Sequence, residues 1–344
     1  MRRWIILVGL ALVFVSCGSQ GGSSSPSTSA SPTGPYIVAT FSSIANGEPN
    51  TIEILRLDGK VLAKQMFQPR SRPYIGNAAV PLQPVAQVVG PAVYYIDGYG
   101  AVRELLATGA VRLVATFPQK PEQFETWFAV SRDRSQVIAG VLAFPAIGPV
   151  PSGAPWPSLV GDWKFNLEAS KAGSPAIVLK HLESPNHPDD PATQWRPTFP
   201  IGWTAAGPTA MVPLYVGTQQ VWMGGALYTL DADGNQAVRL GGADCYSDRI
   251  NSNGFIPCIS SDMTVTVRDI AGGTVWSPTL QSMGAMKLSP NGRGVSDGQS
   301  VETTSGVLKM HRDSRCRGGS MTPPWWVGSA TQAQTASVIW LGYG

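Results

Sequence analysis

The chain opens with one long apolar run and continues as many short apolar segments. Residues 4–15 form the opening run. From Tyr36 onward, apolar or alternating runs are separated by Gly, Pro, Asn and Asp, a pattern typical of all-β proteins. No window of comparable length carries a sustained helical stripe. The runs that predict strands are residues 37–41, 51–57, 93–96, 111–117, 137–144, 176–179, 210–216, 226–230 and 263–267.

One local pattern recurs: a strand, an acidic turn, a Gly and a second strand. Its copies are centred on Asp58, Asp97, Asp231 and Asp269, with intervals of 39 positions between the first two and 38 between the last two. Asp supplies side-chain hydrogen bonds and Gly supplies positive φ where a hairpin reverses. A β-propeller needs one hairpin type to recur at a period of about 40 to 50 residues. The spacing therefore predicts adjacent propeller blades.

A second pattern points to the same fold. Ser131-Arg132-Asp133-Arg134 and Ser289-Pro290-Asn291-Gly292 resemble the Ser-Pro-Asp-Gly turn of TolB-like and WD40-like bacterial β-propellers. The 158 positions from Ser131 to Ser289 divide into four periods near 40. The resemblance implies an all-β propeller of about six to seven blades over residues 35–310. Residues 143–198 are rich in Pro and lack a copy, and we expect a long loop between strands there.

The N-terminal segment has the composition of a signal peptide. Arg2 and Arg3 precede the apolar run, which is shorter than the ~20 residues that span a bilayer. Phe14-Val15-Ser16-Cys17 resembles the bacterial lipobox, although Phe14 departs from the preferred Leu. The alternative is an ordinary secretory signal with an incidental Cys. The resemblance implies that residues 1–16 are removed and that Cys17 is lipidated.

Residues 17–34 predict a tether. After Cys17 they comprise only Gly, Ser, Gln, Pro, Thr and Ala, so we expect a flexible coil without a core of its own. Several acyl chains on one Cys would hold the protein at a membrane, since each buried methylene contributes ~0.8 kcal/mol. We therefore expect a lipid-anchored body on the extracytoplasmic face of a cell membrane.

Composition narrows the classes of partner. Hydrophobic residues make up 43% of the chain and charged residues 14%, which supplies a large core and a surface of small polar side chains. The 38 Gly and 29 Pro indicate many turns and few long helices. The net charge of +3 includes Arg2 and Arg3 of the signal peptide, so nothing indicates nucleic-acid binding.

Three cysteines follow Cys17. Cys245 and Cys258 flank a turn-rich segment, and a disulfide between them is expected in an exported protein. Neither lies in a C-x-x-C motif or near a His, which argues against a metal site. Cys316 has no predicted disulfide partner.

The C-terminal segment, residues 311–344, departs from the propeller pattern. It contains Pro323-Pro324-Trp325-Trp326 and no order of strand, turn and strand. Because Met and Trp have single codons, residues 320–328 can be read in another frame, which gives an Asp, two free positions, an apolar residue, Val and Gly. That order resembles the strand ends of this propeller class, so one hypothesis is that the segment is translated out of frame.

Candidate chemistry is sparse. His181, His187, Asp189 and Asp190 form the densest set of titratable groups, but the surrounding Pro residues favour an exposed loop. The stretch beginning at Asp231 looks like the start of a calcium loop but has Gly242 where a bidentate Glu is required, which favours a hairpin turn. No nucleophile elbow, Walker motif or dinucleotide fingerprint is present, so no cofactor is expected. Of the 11 Trp residues, most are expected in the core; Trp195, Trp203 and Trp222 form a candidate ligand surface.

The sequence favours a membrane-tethered extracytoplasmic binding or scaffold protein with a protein or glycan partner. The alternative is a propeller-type enzyme that acts on glycans or another cell-envelope substrate through carboxylates around the central channel. A third alternative is an inactive product, which the C-terminal segment would explain.

Overall fold

The protein is a β-propeller, and the all-β prediction is confirmed. A computed structural model describes residues 36–43, 49–56, 60–68, 86–117, 124–143, 146–147, 152, 159–160, 162–171, 173–185, 197–213, 224–262, 264–279, 287–289, 292–296, 300–304, 306–309 and 334–340. Within these ranges the regular elements are strands, numbered here in chain order, and there is no helix long and apolar enough to span a membrane.

Three antiparallel sheets come from the first half of the described chain and from its last strand. The first sheet has the order β25–β1–β2–β3. Its strands are β1 (Tyr36–Ser43), β2 (Asn50–Arg56), β3 (Val61–Phe67) and β25 (Gln334–Trp340). The second sheet comprises β4 (Ala86–Val89), β5 (Ala92–Ile96), β6 (Ala101–Leu106) and β7 (Val111–Thr116) in sequential order. The third sheet comprises β8 (Phe124–Val130), β9 (Gln136–Ala143), β12 (Asp162–Lys171) and β13 (Ile177–Pro185) in the same sense.

Three further sheets follow, and one short pair of strands interrupts the third sheet. The fourth sheet comprises β14 (Phe199–Thr204), β15 (Gly207–Pro213), β16 (Gly225–Leu230) and β17 (Gln236–Arg239). The fifth comprises β18 (Ile256–Ile259), β19 (Val265–Arg268) and β20 (Thr274–Trp276). The sixth comprises β21 (Lys287–Leu288), β22 (Gly294–Ser296), β23 (Ser300–Thr303) and β24 (Gly306–Lys309). The short pair is β10 (Ala146–Ile147) with β11 (Leu159–Val160).

The described residues thus form five four-stranded blades and one three-stranded sheet, against a prediction of about six to seven blades. Neighbouring sheets meet at their first strands, β4 beside β8, β8 beside β14, and β21 beside β25. In the fifth sheet, the isolated pairing of Tyr246 with Ile259 places the segment 246–250 next to β18. This segment takes the position of the first, innermost strand of the sheet. The strand β25 pairs with β1 and so joins the C-terminal end of the described chain to the first blade.

The cores lie between facing sheets, so inner strands are buried on both faces. On β8, Trp127 and Ala129 face the fourth sheet, whereas Phe128 and Val130 face the second. The ring centroids of Trp127 and Phe199 are 4.1 Å apart across the first of these interfaces. Because a strand directs successive side chains to opposite faces, two buried faces produce the continuous apolar runs of the sequence.

The acidic turns have one shared geometry. The backbone N–H of Asp97, Asp231 and Asp269 donates to the carbonyl four residues later, and the Gly three residues after each Asp has positive φ. The Oδ1 atoms of these residues accept backbone N–H groups within the turn, at 3.0 Å from Ala101, 2.8 Å from Asn235 and 2.8 Å from Gly273. This is the role that the sequence predicted for Asp and Gly.

The inferred repeat period was wrong in two places. Asp231 and Asp269 join the third and fourth strands of neighbouring sheets, but Asp97 joins the second and third strands of its sheet. The interval from Asp58 to Asp97 is therefore not a blade period. The turns at Ser131 and Ser289 are three sheets apart rather than four, because the equivalent turns between them are those at Thr204 and Asn251.

The expectation of a long loop over residues 143–198 was also wrong. The strands β12 and β13 lie in this region and complete the third sheet. Trp163, Phe165 and Leu167 alternate with more exposed residues along β12 and are buried. The alternation was obscured in the sequence by the Pro-rich stretches on either side.

Candidate functional site

The Trp residues of the candidate ligand surface are only partly within the described chain. Trp203 lies on β14, is partly buried, and packs against the core between the third, fourth and fifth sheets. Trp195 and Trp222 lie outside the described residues. Trp127 and Trp163 are almost fully buried, so both act as core residues. The Trp-lined surface stays a prediction.

A disulfide joins Cys245 to Cys258, with 4.8 Å between their Cα atoms. Both residues are fully buried in the core that the third to fifth sheets share. The bond fixes the start of the innermost segment 246–250 to β18. Cys17 and Cys316 lie outside the described residues.

His181 is an exposed residue on β13. Its Nδ1 lies 2.6 Å from Oδ1 of Asn166, and its Nε2 lies 3.0 Å from Oε1 of Glu183. Hydrogen bonds from Lys164 and then His181 lower the pKa of Glu183 below its ordinary value. His187, Asp189 and Asp190 lie outside the described residues. Within the described part of the chain, no group of three or more His, Cys, Asp or Glu side chains is placed to hold a metal ion.

The Asp231 turn is a hairpin between β16 and β17. Its Oδ1 accepts the backbone N–H groups of Asp233 at 3.0 Å and Asn235 at 2.8 Å. These hydrogen bonds lower the pKa of Asp231, and the bond from Asn235 has the largest effect. The carboxylate therefore stabilises the reversal of the chain, as the hairpin interpretation predicted.

A charged pair lies on the innermost segment of the fifth sheet. Arg249 donates from Nε to Oδ1 of Asp248 at 2.7 Å and from Nη2 to Oδ2 at 2.6 Å. Burial opposes the charged guanidinium, yet the adjacent Asp248 carboxylate raises the pKa of Arg249. The side chains of Arg249 and Asp248 are 24% and 44% exposed, so the pair is partly accessible to solvent. No sequence motif marks this pair.

A buried charge lies between the second and third sheets. Glu104 on β6 accepts a hydrogen bond from the hydroxyl of Tyr94 on β5. Its other oxygen lies 2.8 Å from Nη2 of Arg112, and Arg134 of the third sheet approaches within 3.4 Å. Burial, and then the hydrogen bond to Glu104, raise the pKa of Tyr94. Every oxygen of this carboxylate is engaged, so the cluster joins two sheets rather than presenting a reactive group.

Comparisons with known proteins give similarity in fold only. No family model and no curated protein matches the chain. Among solved structures, it is similar to Pyrococcus horikoshii acylaminoacyl peptidase at 11% identity and a TM-score of 0.42, over 81% of this chain and 46% of the peptidase. The chain thus spans about half the length of the peptidase.

Two other similarities are of the same kind. The oligogalacturonate lyase of Vibrio parahaemolyticus has 9% identity and a TM-score of 0.39, over 81% of this chain and 80% of the lyase. AztD of Citrobacter koseri in its apo form has 10% identity and a TM-score of 0.36, over 90% of this chain and 99% of AztD. Similarity at these values carries no argument about function.

Proposed function

We propose that this protein is a lipid-anchored extracytoplasmic binding or scaffold module. The observation that carries the proposal is the order of its parts. A signal-type apolar run leads to Cys17, a Ser/Gly/Pro-rich segment follows, and the first propeller strand begins at Tyr36. The anchor is Cys17, the site of action is the outer face of the cell membrane, and the partner is a protein or a glycan.

Two buried carboxylates of the described residues hold parts of the propeller together, as expected for a scaffold. Glu104 holds Tyr94 and Arg112 at the interface with the third sheet. Glu302 of the sixth sheet is buried and accepts the backbone N–H of Thr279 with both carboxylate oxygens, at 2.7 and 2.8 Å. Both carboxylates stabilise connections within the propeller.

Crosslinking in intact cells tests the proposal. Full-length tagged protein is crosslinked before lysis, and its partners are compared with those of a Cys17→Ser variant. A binding module at the membrane should capture a defined cell-envelope partner only when Cys17 is intact. In parallel, the purified protein is incubated with cell-envelope glycans. Release of soluble saccharide by the protein would overturn the proposal in favour of the enzyme.

A further inference from the structure

The point at which the chain enters the propeller defines one end of the sheets, here called the tether end. Tyr36, the first residue of β1, pairs with Arg56, the last residue of β2. Lys60 follows in the next turn, and the backbone N–H of Arg56 donates to its carbonyl at 2.9 Å. The described chain therefore begins, at Tyr36, beside two exposed basic residues.

Short turns of the other sheets lie at the same end. In the first sheet, β25 is the first strand and β1 is the second, and β1 begins at the tether end. The second strand of every other sheet therefore also begins at this end. Antiparallel pairing places the turn between the third and fourth strands there as well. A hydrogen bond of 3.0 Å from Nδ2 of Asn251 to the carbonyl of Ser289 joins two of these turns in neighbouring sheets.

Charge is divided unevenly across the tether end. The described turns and strand ends of the sixth, first and third sheets carry the exposed basic residues Arg56, Lys60, Arg132, Lys171 and Arg293. In those sheets Asp133 is the described acidic residue of the turns, and Asp58 lies outside the described residues. The turns of the fourth and fifth sheets instead carry Asp231, Asp233 and Asp269. The basic residues Arg268 and Arg249 near strand ends of the fifth sheet are each paired with an Asp, Arg268 with Asp244 and Arg249 with Asp248, both at 2.6 Å. One half of the end is therefore basic and the other half is acidic.

We propose that the basic half of the tether end docks the propeller on an anionic lipid surface. This inference rests on the lipid anchor of the proposed function. The composition of residues 18–34 predicts a coil with an end-to-end distance of about 25 Å. Such a tether keeps the basic half within reach of lipid headgroups, so that even weak attraction is effective. Docking in this way directs the opposite end of the sheets away from the membrane.

Docking should depend on which charged side chains lie close to the lipid headgroups. Charges are screened over about 8 Å at physiological ionic strength, so only side chains close to the headgroups contribute. Each basic residue close to an anionic surface strengthens binding about fivefold. The acidic turns of the fourth and fifth sheets would be repelled, which tilts the propeller toward its third, first and sixth sheets.

The test measures which end lies near the lipid. The mature lipidated protein is incorporated into vesicles of phosphatidylcholine with or without 30% phosphatidylglycerol, in a Cys316→Ser background. A fluorophore is placed by Thr108→Cys at the tether end, by Tyr99→Cys at the opposite end, or by Ala232→Cys in an acidic turn. All three positions are exposed. A quencher attached to the lipid headgroups reports proximity.

In anionic vesicles we expect quenching at position 108 to exceed that at position 99 by about twofold or more, with position 232 between them. The difference should vanish in neutral vesicles and in 0.5 M NaCl. The triple variant Lys60→Glu, Arg132→Glu and Arg293→Glu should also abolish it. The single variant Arg132→Glu should reduce the difference in quenching. Lys164→Glu makes the same charge change in the same sheet but near the opposite end, so it should leave the difference unchanged.

Equal quenching of the three probes in anionic vesicles would overturn the docking proposal, as would a difference that survives neutral lipid or high salt. Flotation of the protein with vesicles reports the lipid anchor separately. Protein that floats with equally quenched probes overturns docking alone, and protein that does not float overturns both proposals. If the triple variant fails to fold, the salt and neutral-lipid arms on the unaltered protein still decide the result.

Discussion

Arg134 of the third sheet reaches Glu104 of the second sheet from a backbone conformation that non-Gly residues rarely adopt. Its φ is 62°, and its Nη1 lies 3.4 Å from Oε1 of Glu104. Gly292, with φ of 68°, occupies the same position of the corresponding turn in the sixth sheet. The ion pair thus lies at a turn position where Gly carries no conformational cost.

Removal of Glu104 should be far more damaging than removal of Arg134. Glu104→Ala leaves the buried hydroxyl of Tyr94 and two guanidinium groups without their shared acceptor, so we expect a loss of about 3 kcal/mol in the free energy of unfolding. The side chain of Arg134 is 41% exposed, so its ion pair is worth less than about 1 kcal/mol, and Arg134→Gly removes backbone strain of similar size. Urea unfolding checks both values. Glu183→Ala, at an exposed carboxylate, is the control and should leave the midpoint unchanged; a larger loss in Arg134→Gly than in Glu104→Ala would contradict the account.

Tyr94 should make the protein sensitive to alkali. Burial and the hydrogen bond to Glu104 raise the pKa of Tyr94 in the folded state. The folded state therefore holds the phenolic proton more tightly, so this stability is present below about pH 10 and is lost as the pH rises further. Tyr94→Phe should flatten the fall in unfolding free energy above pH 10, by up to about 1.4 kcal/mol per pH unit. Between pH 7 and 9 the slopes of the two proteins should coincide, and a variant as steep as the unaltered protein above pH 10 would refute this role.

The disulfide should contribute measurably to stability. Cys245 and Cys258 are separated by 13 positions, and closing a loop of this length stabilises by ~3 kcal/mol in the chain-entropy treatment. Thermal unfolding with and without reductant should show a clear fall in Tm. Cys316→Ser should show the same fall on reduction, whereas Cys245→Ala with Cys258→Ala should be insensitive to reductant. No response of the unaltered protein to reduction would contradict the prediction.

The C-terminal strand should be required for a stable propeller. The strand β25 pairs with β1 from Ile37 opposite Trp340 to Ser43 opposite Gln334. Truncation after residue 333 removes this pairing and leaves an unpaired edge on β1. We expect rapid proteolysis and loss of cooperative unfolding, whereas truncation after residue 340 should preserve both properties. Resistance of the shorter product would show that β25 is dispensable; the nucleotide sequence decides separately whether residues 311–344 are read in frame.

The fold was predictable where local chemistry acts alone. Asp and Gly fixed the turn at Asp231 because a four-residue reversal needs only its own hydrogen bonds and one positive φ. The strand β12 was missed because its alternation is flanked by Pro-rich segments. The blade period was misjudged because Asp97 uses the same turn chemistry at a different point of its blade.

The charged pairs depend on tertiary contacts and could not be predicted from spacing. Glu104 and Arg134 come together because the third strand of one sheet faces a turn of the next. Arg249 and Asp248 are adjacent in sequence, yet their place on the innermost segment follows from the pairing of Tyr246 with Ile259. No local pattern distinguishes such a pair from an exposed one.

Mass spectrometry of the mature protein, purified from the membrane fraction, tests the central claim of a lipid-anchored propeller most directly. A lipid-anchored propeller should give an N-terminal peptide that begins at Cys17 and carries the added mass of acyl chains. A mature chain that retains residues 1–16, or one in which Cys17 is unmodified, would contradict it.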